Sequence, residues 1–330
     1  MSLRILAPIA LLVPLLLGCG DHSSPAGQSI PVPRHDTGVP TARGSAAPTV
    51  AAAHLTAWRL PYPVARAALI DLRPGSVILA GGLVPGDLSS ARTLRLDLDT
   101  GRLRTLASLG VAVHDTAGGL VAGAPTVAGG GNASEQSAVQ SLVHGHWVRE
   151  PDLPTSRSDL GIAEWRHHAY VMGGYDGVSV PRDVLRLSAR AAPRRAASLL
   201  HGARYAALAR LRSDAYVFGG EVAGRELDTI QRVDLTTGHS HPAGRLPVPL
   251  GHAMAVAVGD RILVMGGRVT PTRQTDAIWW YDPTSRQLRS AGRLPFPVSD
   301  AAVATHDRRV WLLGGETPSI TDRVIELTVR

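Results

Sequence analysis

Six Gly-Gly pairs at a near-constant interval, a leucine in phase with them, and short apolar runs between turn residues predict an all-β fold. The pairs are Gly81-Gly82, Gly129-Gly130, Gly173-Gly174, Gly219-Gly220, Gly266-Gly267 and Gly314-Gly315, separated by 48, 44, 46, 47 and 48 residues. Leu109, Leu153, Leu199, Leu246 and Leu294 each stand 20 residues before the first glycine of a pair. Leu60 stands at 21, where Pro74-Gly75 adds one residue. A period of roughly 40–50 residues is the length of a four-stranded propeller blade, so the repeat predicts a six-bladed β-propeller.

Residues 246–291 show how one unit is written. Leu246-Pro247 opens a crossing, and Ala253 to Val258 is a short apolar run suited to a buried inner strand. Gly259-Asp260 is a tight turn, since Gly takes positive φ without a Cβ penalty. Ile262 to Met265 is a second strand ending at Gly266-Gly267, and Ala277 to Tyr281 is a third. Asp282-Pro283-Thr284-Ser285 is again turn chemistry, and Gln287 to Ser290 is a more polar fourth strand. Four short strands with brief connections read as one antiparallel sheet. The inner strands are apolar throughout because a blade packs on both faces. The glycine pair closing the second strand marks a place where backbones crowd. The unit recurs: Val77 to Leu79, Tyr170 to Met172, Tyr216 to Phe218 and Val310 to Leu313 are second strands, and Leu94 to Leu98, Asp183 to Leu187 and Ile230 to Leu235 are third strands.

The pattern resembles the kelch repeat over residues 54–330. The resemblance rests on the glycine pair after an apolar strand, on Gly173-Gly174-Tyr175-Asp176-Gly177, and on the Tyr281-Asp282-Pro283 turn. The family's fourth-strand aromatic is mostly absent, with Trp147 the best match and Trp58 next. After Gly315 one strand follows, at 323–329, so the sixth blade lacks its outer strand. Residues 54–59, ending in Trp58-Arg59, carry that signature and are expected to pair with 323–329. Such closure removes the open sheet edge that a propeller must avoid.

Three segments are expected. Residues 1–19 read as a lipoprotein signal peptide, with Arg4 followed by an uncharged run from Ile5 to Gly18 that is shorter than the about 20 residues needed to span a bilayer. Leu16-Leu17-Gly18-Cys19 resembles the bacterial lipobox, which implies lipidation at Cys19, the one cysteine of the chain. Acyl chains, at roughly 0.8 kcal/mol per buried CH₂, would anchor the protein to the membrane of the cell envelope, facing the periplasm or cell exterior. Residues 20–53, rich in Ser, Pro, Gly, Thr and Ala, read as a disordered tether. Residues 54–330 form the propeller, large enough to stand as a monomer on its core without disulfides.

The net charge is +7, every cation is Arg, and Lys is absent, which reflects base composition as much as a partner. Arg186, Arg190, Arg194, Arg195, Arg204, Arg210 and Arg212 precede any acid after Asp183, the next being Asp214. That run fits a solvated outer edge or a contact for an anionic envelope polymer or lipid headgroup. No nucleic-acid recognition motif occurs.

Two repeat positions point to the propeller mouth. Fourteen residues before the glycine pair stand Asp115, Asp159, Tyr205, His252 and Asp300, joined by Arg66 after the Pro74-Gly75 insertion. Directly after the pair stand Leu83, Gly131, Tyr175, Glu221, Arg268 and Glu316. The expected ligand-binding rim is Arg66, Asp159, Tyr175, Tyr205, Glu221, His252, Arg268, Asp300 and Glu316. Its mixed charge suits a glycan, an envelope polymer or a protein, and the chain reads as a binding or scaffolding module. No His, Cys and carboxylate cluster has metal-ligand spacing, and neighbours such as His167-His168 point to opposite faces of a strand, so no metal and no cofactor are expected. Kelch-type galactose oxidases use a Cys–Tyr crosslink, and the propeller has no cysteine. The alternative is a sugar-processing enzyme. Glu221 and Arg225 resemble the Glu and Arg that follow the glycine turn in bacterial kelch sialic-acid mutarotases, where a carboxylate could move the anomeric proton.

Overall fold

The computed structural model describes residues 50–73 and 75–330, and among them every regular element is a strand. The expected signal peptide, with Cys19, and residues 20–49 of the expected tether lie outside the described residues.

Six four-stranded antiparallel sheets form a six-bladed propeller. In blade one the strands run Ala68–Arg73, Ser76–Ala80, Thr93–Asp97 and Leu103–Thr105, from the innermost outwards. Blade two follows with Ala117–Val121, Ala124–Ala128, Val139–Val143 and His146–Glu150. Blade three has Ser158–Trp165, His168–Tyr175, Asp183–Ser188 and Ala191–Ser198. Blade four has Ala207–Leu211, Asp214–Phe218, Thr229–Asp234 and Ser240–Arg245. Blade five has Met254–Val258, Arg261–Met265, Ala277–Asp282 and Gln287–Arg293. Blade six has Ala302–His306, Arg309–Leu313 and Val324–Val329, and its outer strand is Val50–Leu55.

The core lies between blades. In blade five, Ile262 and Val264 pack on blade four, while Leu263 and Met265 pack on blade six. Successive side chains of a strand point to opposite faces, so a strand buried on both sides is apolar at every position. Six such interblade clusters close the ring, the last joining Val77 and Leu79 to Trp311 and Leu313.

The glycine pairs bond blade to blade. The second glycine donates its N–H to a carbonyl of the next blade, from Gly82 to Val113 (2.8 Å) around to Gly315 to Val64 (2.9 Å). The first glycine is at positive φ, and a Cβ on Gly81 would stand 2.6 Å from the Val113 oxygen. A side chain there would push neighbouring blades apart. The phased leucines are all buried, and Leu109 and Leu153 reach over Gly81 and Gly129.

Closure by an N-terminal strand is observed, with a shifted boundary. Val50–Leu55, rather than 54–59, pairs with Val324–Val329, placing His54 opposite Glu326 and Leu55 opposite Ile325. Residues 50–53 therefore belong to the propeller and not to the tether. Val50 and Ala53 pack on the cluster between blades five and six. Trp58 instead crosses to the cluster between blades six and one.

Candidate functional site at the propeller mouth

The six residues of the first repeat position form a closed ring. Arg66, Asp115, Asp159, Tyr205, His252 and Asp300 all have φ between 50° and 59°. Each N–H donates to the carbonyl of its counterpart in the preceding blade: Asp115 to Arg66 (3.0 Å), Asp159 to Asp115 (2.8 Å), Tyr205 to Asp159 (3.1 Å), His252 to Tyr205 (2.8 Å), Asp300 to His252 (3.0 Å) and Arg66 to Asp300 (2.9 Å). The left-handed backbone, sparsely populated by residues other than glycine, turns each N–H across to the preceding blade. Six non-glycine residues hold it because the ring repays it with a hydrogen bond each. Their side chains line a central cavity of about 120 Å³.

The second repeat position sits beside the first. Leu83, Gly131, Glu221, Arg268 and Glu316 each bridge to the residue just before a ring residue, and Tyr175 pairs with Ser158 in the same way. Short ribbons continue from Leu83, Glu221 and Arg268. The nine expected rim residues therefore do surround one mouth.

Their charges are largely spent on one another. Arg66 contacts Glu316 at 2.9 Å and Asp115 at 3.3 Å. Arg268 contacts Glu316 at 2.6 Å and Asp300 at 3.1 Å. His252 Nδ1 lies 2.7 Å from Asp300 Oδ1, and its Nε2 faces Glu221 at 3.9 Å. Tyr205 stacks on His252 at 3.8 Å between centroids, while Arg204 lies over both Tyr205 (4.7 Å) and Tyr175 (4.5 Å). Arg204 Nη2 is 2.6 Å from Asp159 Oδ2, off the N–H axis, so this is an ion contact without an aligned hydrogen bond.

The three ring aspartates differ because their company differs. Burial opposes ionisation of Asp300, but His252, Arg66 and Arg268 outweigh it and hold its carboxyl down to about 2. Burial pushes Asp115 up to about 6 against Arg66. Burial, then the charge of Asp115, pushes Asp159 up to about 7. For His252 burial acts downwards, and Asp300 overcomes it to raise the imidazole. The His252 imidazole facing it, with the charges of Arg204 and Arg268, holds Glu221 below the usual carboxylate range.

An open groove of about 560 Å³ adjoins the mouth between blades three and four, lined by Tyr175, Val178, His201, Arg204, Glu221 and Val222 among others. Glu221 and Arg225 are not brought together. Arg225 pairs with Val222 across the ribbon and is exposed, and the groups that act on Glu221 are His252, Arg204 and Arg268. Arg204, His114 and Ser299 join the site beyond the expected set. His114 contacts Asp115 at 3.5 Å, and Ser299 Oγ donates to Asp300 at 2.7 Å. All three occupy the position just before the ring residue, a third repeat position that the sequence carried in the same phase. Asp115 occupies the ring position itself and completes the cavity wall.

No protein-family model matches the chain, and no curated protein matches it by sequence. Among solved structures, that of YjhT superposes with a TM-score of 0.72 at 15% sequence identity, over 82% of this chain and 99% of its own. At that identity the likeness establishes the six-bladed fold.

Proposed function

We propose that the chain is a kelch-type binding module, exported and held to the bacterial envelope by a lipid on Cys19. Its ligand, a glycan or other polyhydroxylated polymer, enters the mouth through the groove between blades three and four. The observation that carries this reading is the internal pairing of the mouth's cations. Arg66, Arg204 and Arg268 each face rim carboxylates, so little free positive charge remains to attract an anion. What the groove offers is the Tyr175 edge, the Glu221 carboxylate and backbone polar groups. Such a set matches hydroxyls, which both donate and accept. Screening neutral and acidic oligosaccharides tests it. Neutral chains should bind. Glu221→Ala and Arg268→Ala should each weaken them by roughly 1–3 kcal/mol, and the outer-strand control Arg289→Ala should leave binding unchanged. If rim variants and control behave alike, the ligand sits elsewhere.

A sugar-processing enzyme is the second reading. It is favoured by His252, bonded to Asp300 on one side and facing Glu221 on the other, a potential proton donor beside an ionised acceptor. Glu221→Gln should then abolish turnover of a reducing sugar while leaving its affinity within a few-fold. Loss of affinity without any wild-type turnover supports the binding module.

A further inference from the structure

The ring residues open the innermost strands, so the turns between first and second strands, and between third and fourth, all lie at the end of the propeller opposite the mouth. Six exposed arginines sit on those turns: Arg102 in blade one, Arg166 and Arg190 in blade three, Arg212 in blade four, Arg286 in blade five and Arg308 in blade six. Among the described residues, none of the six has a carboxylate within 4.0 Å. The acids of the same turns are answered locally. Asp99 pairs with Arg309, Asp307 lies 3.6 Å from His306, and Asp260 lies 3.9 Å from Arg261. On the mouth side, by contrast, cations meet carboxylates, as in Arg59–Asp322, Arg245–Asp228 and Arg293–Asp276 beside the rim pairs.

Folding does not ask for arginine at these places. The Arg286 N–H donates to the Asp282 carbonyl at 2.8 Å, as Gly101 does to Asp97 (2.9 Å) and Gly238 to Asp234 (2.8 Å). All three corners have positive φ, which glycine takes without a Cβ penalty. Arg212 holds in blade four the corner that Gly259 holds in blade five, with φ of 57° and 63°. Arg190, at φ 55°, is a third arginine in this sparsely populated region. A side chain that strains its own turn and answers no carboxylate of the protein is free for a partner outside it.

Two further observations choose the partner. The six arginines come from five blades and stand at one end of the sheets, so they spread across a face rather than line a groove. A plane meets them together, whereas a single extended polymer does not. The closing strand also enters at this end: Val50 is opposite Val329, whose N–H donates to the Arg308 carbonyl at 2.7 Å. The polypeptide from Cys19 therefore joins the propeller on its basic face.

We propose that this face rests on a membrane surface of anionic phospholipid, which turns the mouth outward. Each cation held close to such a surface adds to binding. The proposal rests on the envelope reading above for where the protein sits, whereas the contact itself needs no acyl chain.

Residues 50–330 carry all six blades and the strand that closes them, so this chain, without Cys19, is the test protein. It should co-sediment with vesicles of mixed phosphatidylglycerol and phosphatidylcholine but not with phosphatidylcholine alone. The affinity should fall as salt is raised from about 50 to about 300 mM. Arg190→Gly, Arg212→Gly and Arg286→Gly combined remove three charges at corners that suit glycine. The melting temperature should stay near the wild type while vesicle binding weakens roughly tenfold or more. Arg182→Gln, Arg273→Gln and Arg323→Gln combined remove the same charge from mouth-side loops and should leave binding within about twofold. Equal loss in both triple variants, no binding to the anionic vesicles, equal binding to the neutral ones, or a preference for dissolved heparin over vesicles would each overturn the membrane face. Failure of the anchor would show instead in fractionation of cells carrying Cys19→Ser, so the two readings can fail apart.

Discussion

Asp115 and Asp159 share a backbone ring with Asp300, and Asp115 also meets Arg66, but neither has the His252 and Arg268 contacts of Asp300, and this difference sets a pH dependence. A buried carboxyl raised from its ordinary 3.8 to about 6 or about 7 keeps its proton in the folded chain at a pH where the unfolded chain has released it. The folded state then binds more protons, so stability falls as pH rises from about 4 through 7. His252, raised by Asp300, acts in the same direction: its contribution is present below 6.5 and is lost as pH climbs through its folded value. Asp300 acts oppositely, and only between about pH 4 and about 2, where its contribution is lost as pH falls. Thermal melts should show the wild type losing several degrees between pH 5 and 8, and Asp159→Asn losing less over the same span. A variant with the wild-type slope would mean that Asp159 does not titrate there.

The outer strand of blade six is the element on which closure depends. Val50–Leu55 covers the edge of Val324–Val329, which otherwise presents unpaired N–H and C=O groups. A chain beginning at Thr56 should melt on the order of 10 °C below one beginning at Val50, since blade six then presents an open edge and loses the packing of Val50 and Ala53 against the cluster between blades five and six. Equal melting temperatures would show that the strand adds nothing to closure. The strand's existence can be read from the missing sixth outer strand. Its position differs from the expected 54–59 by four residues because Trp58 fits an outer-strand aromatic equally well. Only packing distinguishes them: Trp58 lies against Gly101 of blade one, whereas small residues suffice in the closing strand.

At the scale of the whole molecule, six interblade clusters and two rings of backbone hydrogen bonds make each blade depend on both neighbours. The proposed anchor adds a requirement outside the propeller. Replacing Cys19 with Ser should move the protein from the membrane to the soluble fraction on cell fractionation. Undiminished membrane association in that variant would place the attachment elsewhere.

The sequence by itself determined the architecture, because a blade is a local unit. Its strands, turns and glycine pair lie within one period, and the demands of packing on both faces are written at each strand position. It also determined which residues reach the mouth, since a position repeated in phase must recur at one level of the ring. What only the tertiary structure decided was the state of those residues. Arg66 meets Asp115 and Glu316, 49 and 250 residues away, through ring closure alone. Arg204 belongs with the rim rather than with the arginine run around it, because it stands next to the ring residue Tyr205 and meets Asp159 of the preceding blade. Charge pairing across blades depends on distances that no single period contains.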